Sequence, residues 1–416
     1  MRQAGFAGKA LVAMSGGVDS SVAALLAQRA GYDCVGVTLR LFDNEDVGET
    51  ADRPCCSLAD AQDAARAAAA LGIPHYVFNF AGAFRREVMD RFADAYAAGA
   101  TPNPCIDCNT YLKFGLLLDR ARRMGFDKLV TGHYARISQI PSVKGPQVRL
   151  GGGDAPGGER NDKGNSGQFR LSRAAYREKD QTYFLYMMTQ EQLARTLFPL
   201  AELTKPQVRA LAAEAGLPTA EKRESQDICF VRGGDYAAFL ESYRGGAKAS
   251  VAPAPSGASD PQGAGNGLVP GLFVDEAGRA LGRHSGIARY TIGQRKGVGV
   301  ALGKPAFVAE IRAASNEVVL STEESSLFRE MIEVGEVNWI EGQPLAGPVR
   351  AEVQVRYGAA PAPARILFGG SDSEAKGGTG ATQAQVCFDK PVRAPARGQA
   401  AVFYDGDTVL GGGRIL

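Results

Sequence analysis

The first half of the chain alternates short apolar runs with stretches of helical periodicity. The run KALVAM at 9–14 predicts a buried strand, and the Ala-rich stretch at 58–71 predicts a helix. The whole set comprises strands at 9–14, 34–42, 75–80 and 128–135 and helices at 20–30, 58–71, 84–98 and 111–124. This alternation predicts a parallel sheet covered by helices on both faces, with ligands bound beyond the carboxyl ends of its strands.

The second half has a different pattern. Residues 200–243 have a mostly helical periodicity, with one helix opening near Thr204. Beyond Leu272, short apolar runs such as AFVAEI, EVVLST and AEVQVRY recur between turns. That spacing predicts a small antiparallel β-domain, either a barrel or a sandwich. Three stretches rich in Gly, Ala, Pro and Ser, at 142–168, 245–267 and 369–382, are expected to be mobile surface insertions without an assigned function.

Composition narrows the class of protein. A length of 416 residues favours two or three domains, and a net charge of +2 does not by itself indicate a nucleic-acid partner. No apolar run approaches the roughly 18 residues of a membrane helix, and the apolar stretch near the N-terminus is too short for a secretory signal. We therefore expect a cytoplasmic protein without membrane contact. Its seven cysteines are then better explained as reactive, metal-binding or buried residues than as disulfides.

The strongest local motif is SGGVDSS at 15–21, between a predicted strand and a predicted helix. Its glycines allow backbone N–H groups to approach phosphate oxygens at a helix N-terminus, and Asp19 is a candidate ligand for Mg²⁺ on pyrophosphate. The plain alternative is a strand–helix turn with a Ser cap. No Gly-Lys-Ser or Gly-Lys-Thr sequence occurs, so the loop is not of the Walker type. It resembles the loop of ATP pyrophosphatases, which implies attack at the α-phosphorus and an adenylated product.

Two cysteines have distinctive surroundings. Cys108 lies in NPCIDCN, which we place in a loop before the predicted helix at 111–124, where the helix N-terminus would lower its pKa. Cys229 lies in SQDICF, beside Ile and Phe. In such a context a cysteine is also commonly a small core residue.

Together these motifs resemble the tRNA-specific 2-thiouridylase family. The resemblance rests on SGGVDSSVA, TPNPCIDCN, TGHYAR, KDQTYFLY, LFPLAELTKPQVR, SQDICF, TIGQRKGVGV, VRY and GQAAVFYDG, in this order. It covers nearly the whole chain apart from the three insertions. It implies an α/β domain with a parallel sheet of the ATP pyrophosphatase (adenine nucleotide alpha hydrolase-like) type at 1–233. A small central tRNA-contacting domain at 234–303 and a C-terminal antiparallel β-barrel at 304–416 would follow.

The resemblance also implies the reaction. ATP, with Mg²⁺, adenylates the C2 oxygen of the wobble uridine in tRNAs for Lys, Glu and Gln. A cysteine persulfide, charged by a sulfur-relay donor protein, then supplies sulfur, with release of AMP and pyrophosphate. By position, Cys108 matches the family's nucleophile and Cys229 its persulfide-bearing cysteine.

The remaining site residues are carried over in the same way. ATP contacts are implied for Ala13, Met14, Ser15, Gly16, Gly17, Val18, Asp19, Ser20, Leu39 and Gly132. Contacts to the target base or to other parts of the tRNA are implied for Asn103, Pro104, Cys105, His133, Lys179, Asp180, Gln181, Arg356, Tyr357 and Gln399. Outside these motifs, a lone Lys or Arg is ordinarily solvated surface charge, and His133 is equally compatible with a buried, hydrogen-bonded histidine.

One position departs from the family pattern. Many members carry Asp where this chain has Cys105, so a proton-carrying role for that Asp has no matching residue at this position. With Cys108 and Cys229, Cys105 makes three thiolates, enough to hold a [4Fe–4S] cluster with one open iron. We favour the simpler interpretation of an extra thiol without consequence and expect no cluster.

Two other functions compete with sulfur transfer. A pyrophosphatase-type ligase or amidotransferase would use the phosphate loop but would need neither the paired cysteines nor an RNA-contacting C-terminal domain. A non-catalytic RNA-binding protein would not need an intact SGGVDS loop. Release of pyrophosphate from ATP that depends on tRNA discriminates sulfur transfer from both.

Overall fold

The computed structural model describes residues 7–42, 56–140, 168–222, 228–245, 267–342, 347–368 and 383–416. The three predicted insertions lie outside these residues, apart from a few end positions. The strands are β1 (Gly8–Ala13), β2 (Tyr32–Arg40), β3 (His75–Asn79), β4 (Lys128–Val130), β5 (Arg136–Ile140), β6 (Gln168–Ser172), β7 (Thr196–Leu197), β8 (Gly271–Val274), β9 (Ala280–His284), β10 (Phe307–Arg312), β11 (Glu317–Ser321), β12 (Phe328–Trp339), β13 (Val349–Gln354), β14 (Ala362–Phe368), β15 (Ala384–Arg393), β16 (Ala400–Asp405) and β17 (Thr408–Ile415). The α-helices are α1 (Val18–Arg29), α2 (Cys56–Leu71), α3 (Ala81–Phe84), α4 (Arg91–Ala97), α5 (Pro104–Asp107), α6 (Leu118–Arg123), α7 (Gln190–Ala194), α8 (Lys205–Glu214) and α9 (Tyr236–Gly245).

The first sheet is parallel throughout, in the order β3-β2-β1-β4-β7. Its central strand β1 is buried on both faces. Ala10 and Val12 pack in one cluster with the alanines of α1 and α2, while Leu11 belongs to a second cluster with Phe84 and Phe92. Because successive side chains of a strand point to opposite faces, a continuous apolar run is what a sheet covered on both sides requires. The predicted parallel sheet is confirmed.

The helix that carries Cys105 and Cys108 corrects one prediction. It begins at Pro104 rather than near Tyr111 and continues as a π-helix over Cys108–Leu117 before α6. Asn103 caps it by accepting a hydrogen bond from the Cys105 N–H at 3.2 Å, and proline is well suited to a first helical position. Placing NPCIDCN in a loop was therefore wrong, because Asn-Pro was not recognised as a helix start.

Two other boundaries also differ. The strand predicted at 128–135 ends at Val130, and residues 131–135 have no regular secondary structure. In the region predicted as mostly helical, α8 begins after a Thr204 cap as expected, but no α-helix occupies the described residues between 215 and 235. The side chains of Phe230 and Val231 are buried there, so tertiary packing rather than helical periodicity produced the apolar pattern.

The C-terminal part forms a closed antiparallel barrel, which confirms the predicted β-domain. The order is β12-β15-β14-β13-β16-β17, and β12 pairs again with β17 to close it. Its interior holds Val353, Ile366, Val386 and Phe403. A hairpin of β5 and β6, whose strands flank the first insertion, joins the outside of the barrel through β17. No helix in the described part of the chain is long and apolar enough to cross a membrane.

Between the two lies a four-stranded sheet in the order β10-β11-β8-β9, with its own core around Phe273 and Val308. This sheet takes strands from both sides of residue 303. The limits 1–233, 234–303 and 304–416 stay a prediction, and we propose moving the last one to the far side of β11.

Candidate active site

The phosphate loop lies between β1 and α1, as predicted. Gly17 precedes the first helical residue without a side-chain cap, while the hydroxyl groups of Ser20 and Ser21 both donate to its carbonyl oxygen at 3.0 Å. Gly16 has φ 74°, and a Cβ there would lie 2.2 Å from the backbone oxygen of Asp60. Only glycine fits this position, because the loop passes directly against α2. The loop thus presents the N-terminus of α1 at the carboxyl edge of the sheet, a favourable place for phosphate.

The predicted ATP residues gather at this edge. Ala13 and Leu39 lie at the carboxyl ends of β1 and β2, and Met14 extends β1 by donating to the Val37 carbonyl at 2.8 Å. Gly132 follows β4, and a Cβ on it would meet the backbone of Asp19 and Ser20 at 2.8 Å. The close approach of β4's end to the start of α1 therefore depends on a residue without a side chain.

Asp19 is already engaged within the protein. Its carboxylate accepts hydrogen bonds from the buried Lys205 ammonium at 2.7 and 2.8 Å and from the Tyr134 hydroxyl at 2.9 Å. Lys205 is the first residue of α8, where the helix dipole disfavours a positive charge. The bonded Asp19 carboxylate offsets the burial and the dipole, so that a cation is held beside the phosphate loop.

The three site cysteines come together in space. Cys105 and Cys108 lie on the first turns of one helix, and Cys229 lies just before Phe230, whose ring packs against Phe84 and Phe92. The surrounding protein raises the pKa of the Cys229 thiol to about 12 by desolvation, although the residue still reaches solvent, and the neighbouring Cys108 and Cys105 sulfurs add to the rise. All three cysteines are free thiols. Cys108 packs on the same hydrophobic cluster as Ile228 and Phe230, the two neighbours of Cys229, so segments far apart in sequence lie together.

The pKa expected for Cys108 was wrong. Burial raises the pKa of its thiol, and that of Cys105, above the ordinary value, against the lowering expected from a helix N-terminus. The ammonium of Lys113 opposes this rise at Cys105, Cys108 and Cys229. In a π-helix, hydrogen bonds join residues five apart, so Lys113 follows Cys108 by one wide turn. Desolvation outweighs the contribution of Lys113.

Comparison with known proteins identifies the chain. Residues 8–233 match the model of the tRNA methyl transferase HUP domain, 266–322 that of its PRC-barrel domain, and 329–415 that of the aminomethyltransferase beta-barrel domain. A tRNA-specific 2-thiouridylase MnmA of a Roseiflexus species is 45% identical, over 98% of this chain and 99% of that protein. Proteins of the same name from Carboxydothermus hydrogenoformans and Clostridioides difficile are 43% and 40% identical, each over 98% of this chain and 97% and 98% of their own length. This chain belongs to the tRNA-specific 2-thiouridylase family.

The residues that the family resemblance assigns to tRNA fall into two groups. Lys179, Arg356 and Tyr357 lie at or near the surface, and the Tyr357 ring packs 4.4 Å from that of Phe184. Asn103 and Cys105 lie at the start of the continuous helix over 104–123, which carries Cys105 and Cys108 and is called the thiol helix below. Cys105 is exposed there. These five side chains are placed where an RNA could reach them without rearrangement of the core.

The second group has internal partners. His133 is 8% exposed, its Nδ1 lies 2.7 Å from the Thr131 hydroxyl, and burial lowers the pKa of its ring well below the ordinary value. Pro104 is also buried. The other three hold the backbone: Asp180 accepts from the Ala174 N–H, Gln181 from the Tyr134 N–H, and the Gln399 amide donates to the Thr101 carbonyl. Their role as RNA contacts stays a prediction, and in this arrangement they organise the wall of the site.

The sequence pattern missed several charged residues at this site. Lys205 belongs to LFPLAELTKPQVR, one of the motifs that carry the family resemblance, and its position at the start of a capped helix was a signal that could have identified it. Lys113 had no signal, because a π-helix was not predicted. The described residues contain no group of three or more His, Cys, Asp or Glu side chains placed to hold a metal ion. The expectation of no iron–sulfur cluster stays a prediction.

Proposed function

We propose that this chain uses ATP to replace the C2 oxygen of the wobble uridine with sulfur in tRNAs for Lys, Glu and Gln. The observation that carries the proposal is the packing of Cys108 on the same hydrophobic cluster as Ile228 and Phe230, which flank Cys229, in a chain whose parallel sheet also bears a pyrophosphatase-type loop. The names of relatives that match nearly the full length support it.

Adenylation is the first step. The uridine C2 oxygen forms a bond to the α-phosphorus of ATP while the bond from that phosphorus to the bridging oxygen breaks, and pyrophosphate leaves. The N–H groups at the start of α1 suit the departing phosphates. Asp19 fits Mg²⁺ as one carboxylate ligand, since this ion commonly takes one or two carboxylates together with phosphate oxygens, and it would neutralise the polyphosphate. Lys205, bonded to both Asp19 oxygens, provides a second positive charge beside the loop.

Sulfur transfer follows at the thiols. The terminal sulfur of a persulfide on Cys229 forms a bond to C2 as the bond to AMP breaks. The Cys108 thiolate then attacks the Cys229 sulfur, the S–S bond to the base breaks, and 2-thiouridine leaves. A Cys108–Cys229 disulfide remains, which an external thiol must reduce. Such a disulfide needs Cα atoms within about 7 Å. The packing of Cys108 on one hydrophobic cluster with Ile228 and Phe230 supports such an approach.

Two features support the expected partners. Cys229 is exposed, so a sulfur-relay protein carrying a persulfide has access to it. The cations Lys179 and Arg356 lie near the Tyr357 ring. Their charge suits phosphate oxygens, and the adjoining aromatic surface suits an unstacked base.

The test separates the steps with three single variants. Cys229→Ser should release pyrophosphate from ATP in the presence of tRNA but fail to accept a persulfide. Cys108→Ser should carry the persulfide on Cys229 yet not complete turnover. Cys387→Ser, which changes a barrel cysteine remote from the thiol helix, is the matched control and should behave as wild type. Pyrophosphate release and mass spectrometry of tRNA nucleosides provide the readouts.

The proposal fails if wild-type protein, supplied with ATP, tRNA and a persulfide donor, forms no 2-thiouridine. The assignment of Cys229 as sulfur carrier fails separately if Cys229→Ser still forms 2-thiouridine from a protein-bound persulfide.

A further inference from the structure

Asp107, between the two cysteines of the thiol helix, is a buried carboxylate that the proposed reaction does not use. It is 3% exposed. A buried charge is costly unless it is paired, so its partners decide why it is there. Asp107 raises the pKa of both Cys105 and Cys108, which makes it unfavourable for thiolate chemistry unless its own charge is balanced.

The balancing charge comes from the C-terminal barrel. The Arg414 guanidinium, on β17, donates from Nη2 to Asp107 Oδ1 at 3.1 Å. Arg91 of α4 is a weaker partner: its Nε lies 3.9 Å from the same oxygen without forming a hydrogen bond, and its guanidinium lies over the Tyr111 ring at 4.7 Å. Arg414 is therefore the main partner of Asp107.

The barrel orients Arg414 toward the thiol helix. Its Nε lies 3.4 Å from an oxygen of Glu336, on β12. Glu336 has φ 52°, a left-handed conformation that non-glycine residues rarely adopt, and it lies in a bulge where β12 pairs with β17. Bulges re-aim side chains at sheet edges and near active sites. Glu336 is locally strained and orients Arg414 toward the other domain, which indicates that the contact between Arg414 and Asp107 is built into the fold.

Further contacts fasten the same segment to the barrel. The Thr101 N–H donates to the Arg397 carbonyl at 2.7 Å, and the Gln399 amide donates to the Thr101 carbonyl at 2.8 Å. The chain from Thr101 to Asp107 is thus held by the barrel at both ends. The first turn of the helix, with Cys105, lies between these two attachments, and Cys108 directly follows the second one.

We propose that Arg414 and Asp107 are positioning residues through which the C-terminal barrel holds the thiol helix, and balances its charge, for sulfur transfer. The charged or titratable groups around Asp107 are Arg414 and Glu336 from the barrel, Arg91 from α4, and Tyr111, Tyr186, Cys105 and Cys108. The use of sulfur transfer as the measured reaction rests on the proposed function, whereas the contact between Arg414 and Asp107 does not.

The first test is a double-mutant cycle. Arg414→Met should slow single-turnover sulfur transfer about tenfold or more, because small misplacements of reacting groups are costly, while tRNA-dependent pyrophosphate release stays within about twofold. Arg414→Lys should recover part of the rate. In an Asp107→Asn background, Arg414→Met should have little further effect, since the two residues act as a pair. Arg350→Met, which breaks an exposed pair with Asp389 on the same barrel, is the matched control and should change neither rate.

The second test reads the thiol directly and does not need the tRNA reaction. At a fixed pH below the Cys108 pKa, iodoacetamide should alkylate Cys108 more slowly in Arg414→Met and faster in Asp107→Asn, because one variant removes the balancing cation and the other removes the carboxylate. Changes in the same direction in both variants, or equal losses of pyrophosphate release and sulfur transfer, would mean general damage and overturn the proposal. If the protein forms no 2-thiouridine at all, opposite alkylation shifts still uphold the pair, and the proposed function alone fails.

Discussion

Asp19→Ala separates the two roles open to this carboxylate, a ligand for Mg²⁺ and a partner for Lys205. The change removes two charged hydrogen bonds at 2.7 and 2.8 Å and leaves the Lys205 ammonium, 8% exposed, without that carboxylate. Breaking a fully buried ion pair costs about 3–5 kcal/mol. Because the Asp19 side chain is 31% exposed, we expect a loss of about 2–3 kcal/mol in the free energy of unfolding.

Chemical denaturation measures that loss, with Asp33→Ala as the control, since Asp33 is an exposed aspartate on β2 of the same sheet. The double variant Asp19→Ala/Lys205→Met removes the ammonium as well and should regain at least about half of the lost stability. Pyrophosphate release should be abolished in Asp19→Ala and stay absent in the double variant, while tRNA binding stays nearly intact. Wild-type pyrophosphate release in Asp19→Ala would refute the catalytic role. A double variant no more stable than the single one would refute the pairing argument.

Two further predictions follow from the geometry of the loop and the thiols. Gly132→Ala should cost about 1–3 kcal/mol of stability and weaken ATP binding in calorimetry, because the new Cβ would lie 2.8 Å from backbone atoms of α1. Gly82→Ala is the control, because a Cβ there would meet only the Arg86 side chain, at an ordinary contact distance of 3.8 Å. Equal effects of the two changes would contradict the prediction. The exposed Cys229 should react slowly with iodoacetamide at pH 8 and accelerate toward pH 12, since its folded pKa is raised to about 12 from 9.0. The folded state then keeps the Cys229 proton that the unfolded state has lost, so the contribution of Cys229 to the free energy of unfolding falls as pH rises from about 9 to about 12. Fast alkylation of Cys229 at pH 8, located by peptide mass spectrometry, would contradict the raised pKa.

The parts of the fold that depend on short-range pattern could be predicted from the sequence. The buried run around β1 and the capped start of α8 carry their signals within a few residues. The family resemblance assigned Leu39 and Gly132 to the same site as the phosphate loop, and both lie at the carboxyl edge of the sheet, where parallel strands place their ligands. The π-helix at Cys108–Leu117 had no such signal, since its widened turn reflects packing against the rest of the domain.

The thiol chemistry shows a different limit. The sequence motif singled out the cysteines of the proposed reaction, but the expected lowering of the Cys108 pKa was wrong because burial depends on the packed surroundings rather than on the helix start alone. Asp107 could not be interpreted either, since its main partner, Arg414, lies 307 residues further along the chain. Long-range partners of this kind decide whether a charged residue beside a catalytic thiol is harmful or balanced.

The raised pKa of Cys229 bears on how sulfur reaches the site. A thiol with a pKa near 12 is almost wholly protonated at neutral pH and is a poor nucleophile toward a donor's persulfide. Its rise comes from burial and from the nearby Cys108 and Cys105 sulfurs, so moving Cys229 away from them would remove much of it. Loading in an outward position and transfer in the described one would give each step the acidity it needs. Such a difference in acidity favours at least two arrangements of Cys229: one away from the other two sulfurs, in which it accepts sulfur from the donor, and the described one, from which sulfur passes to the activated uridine.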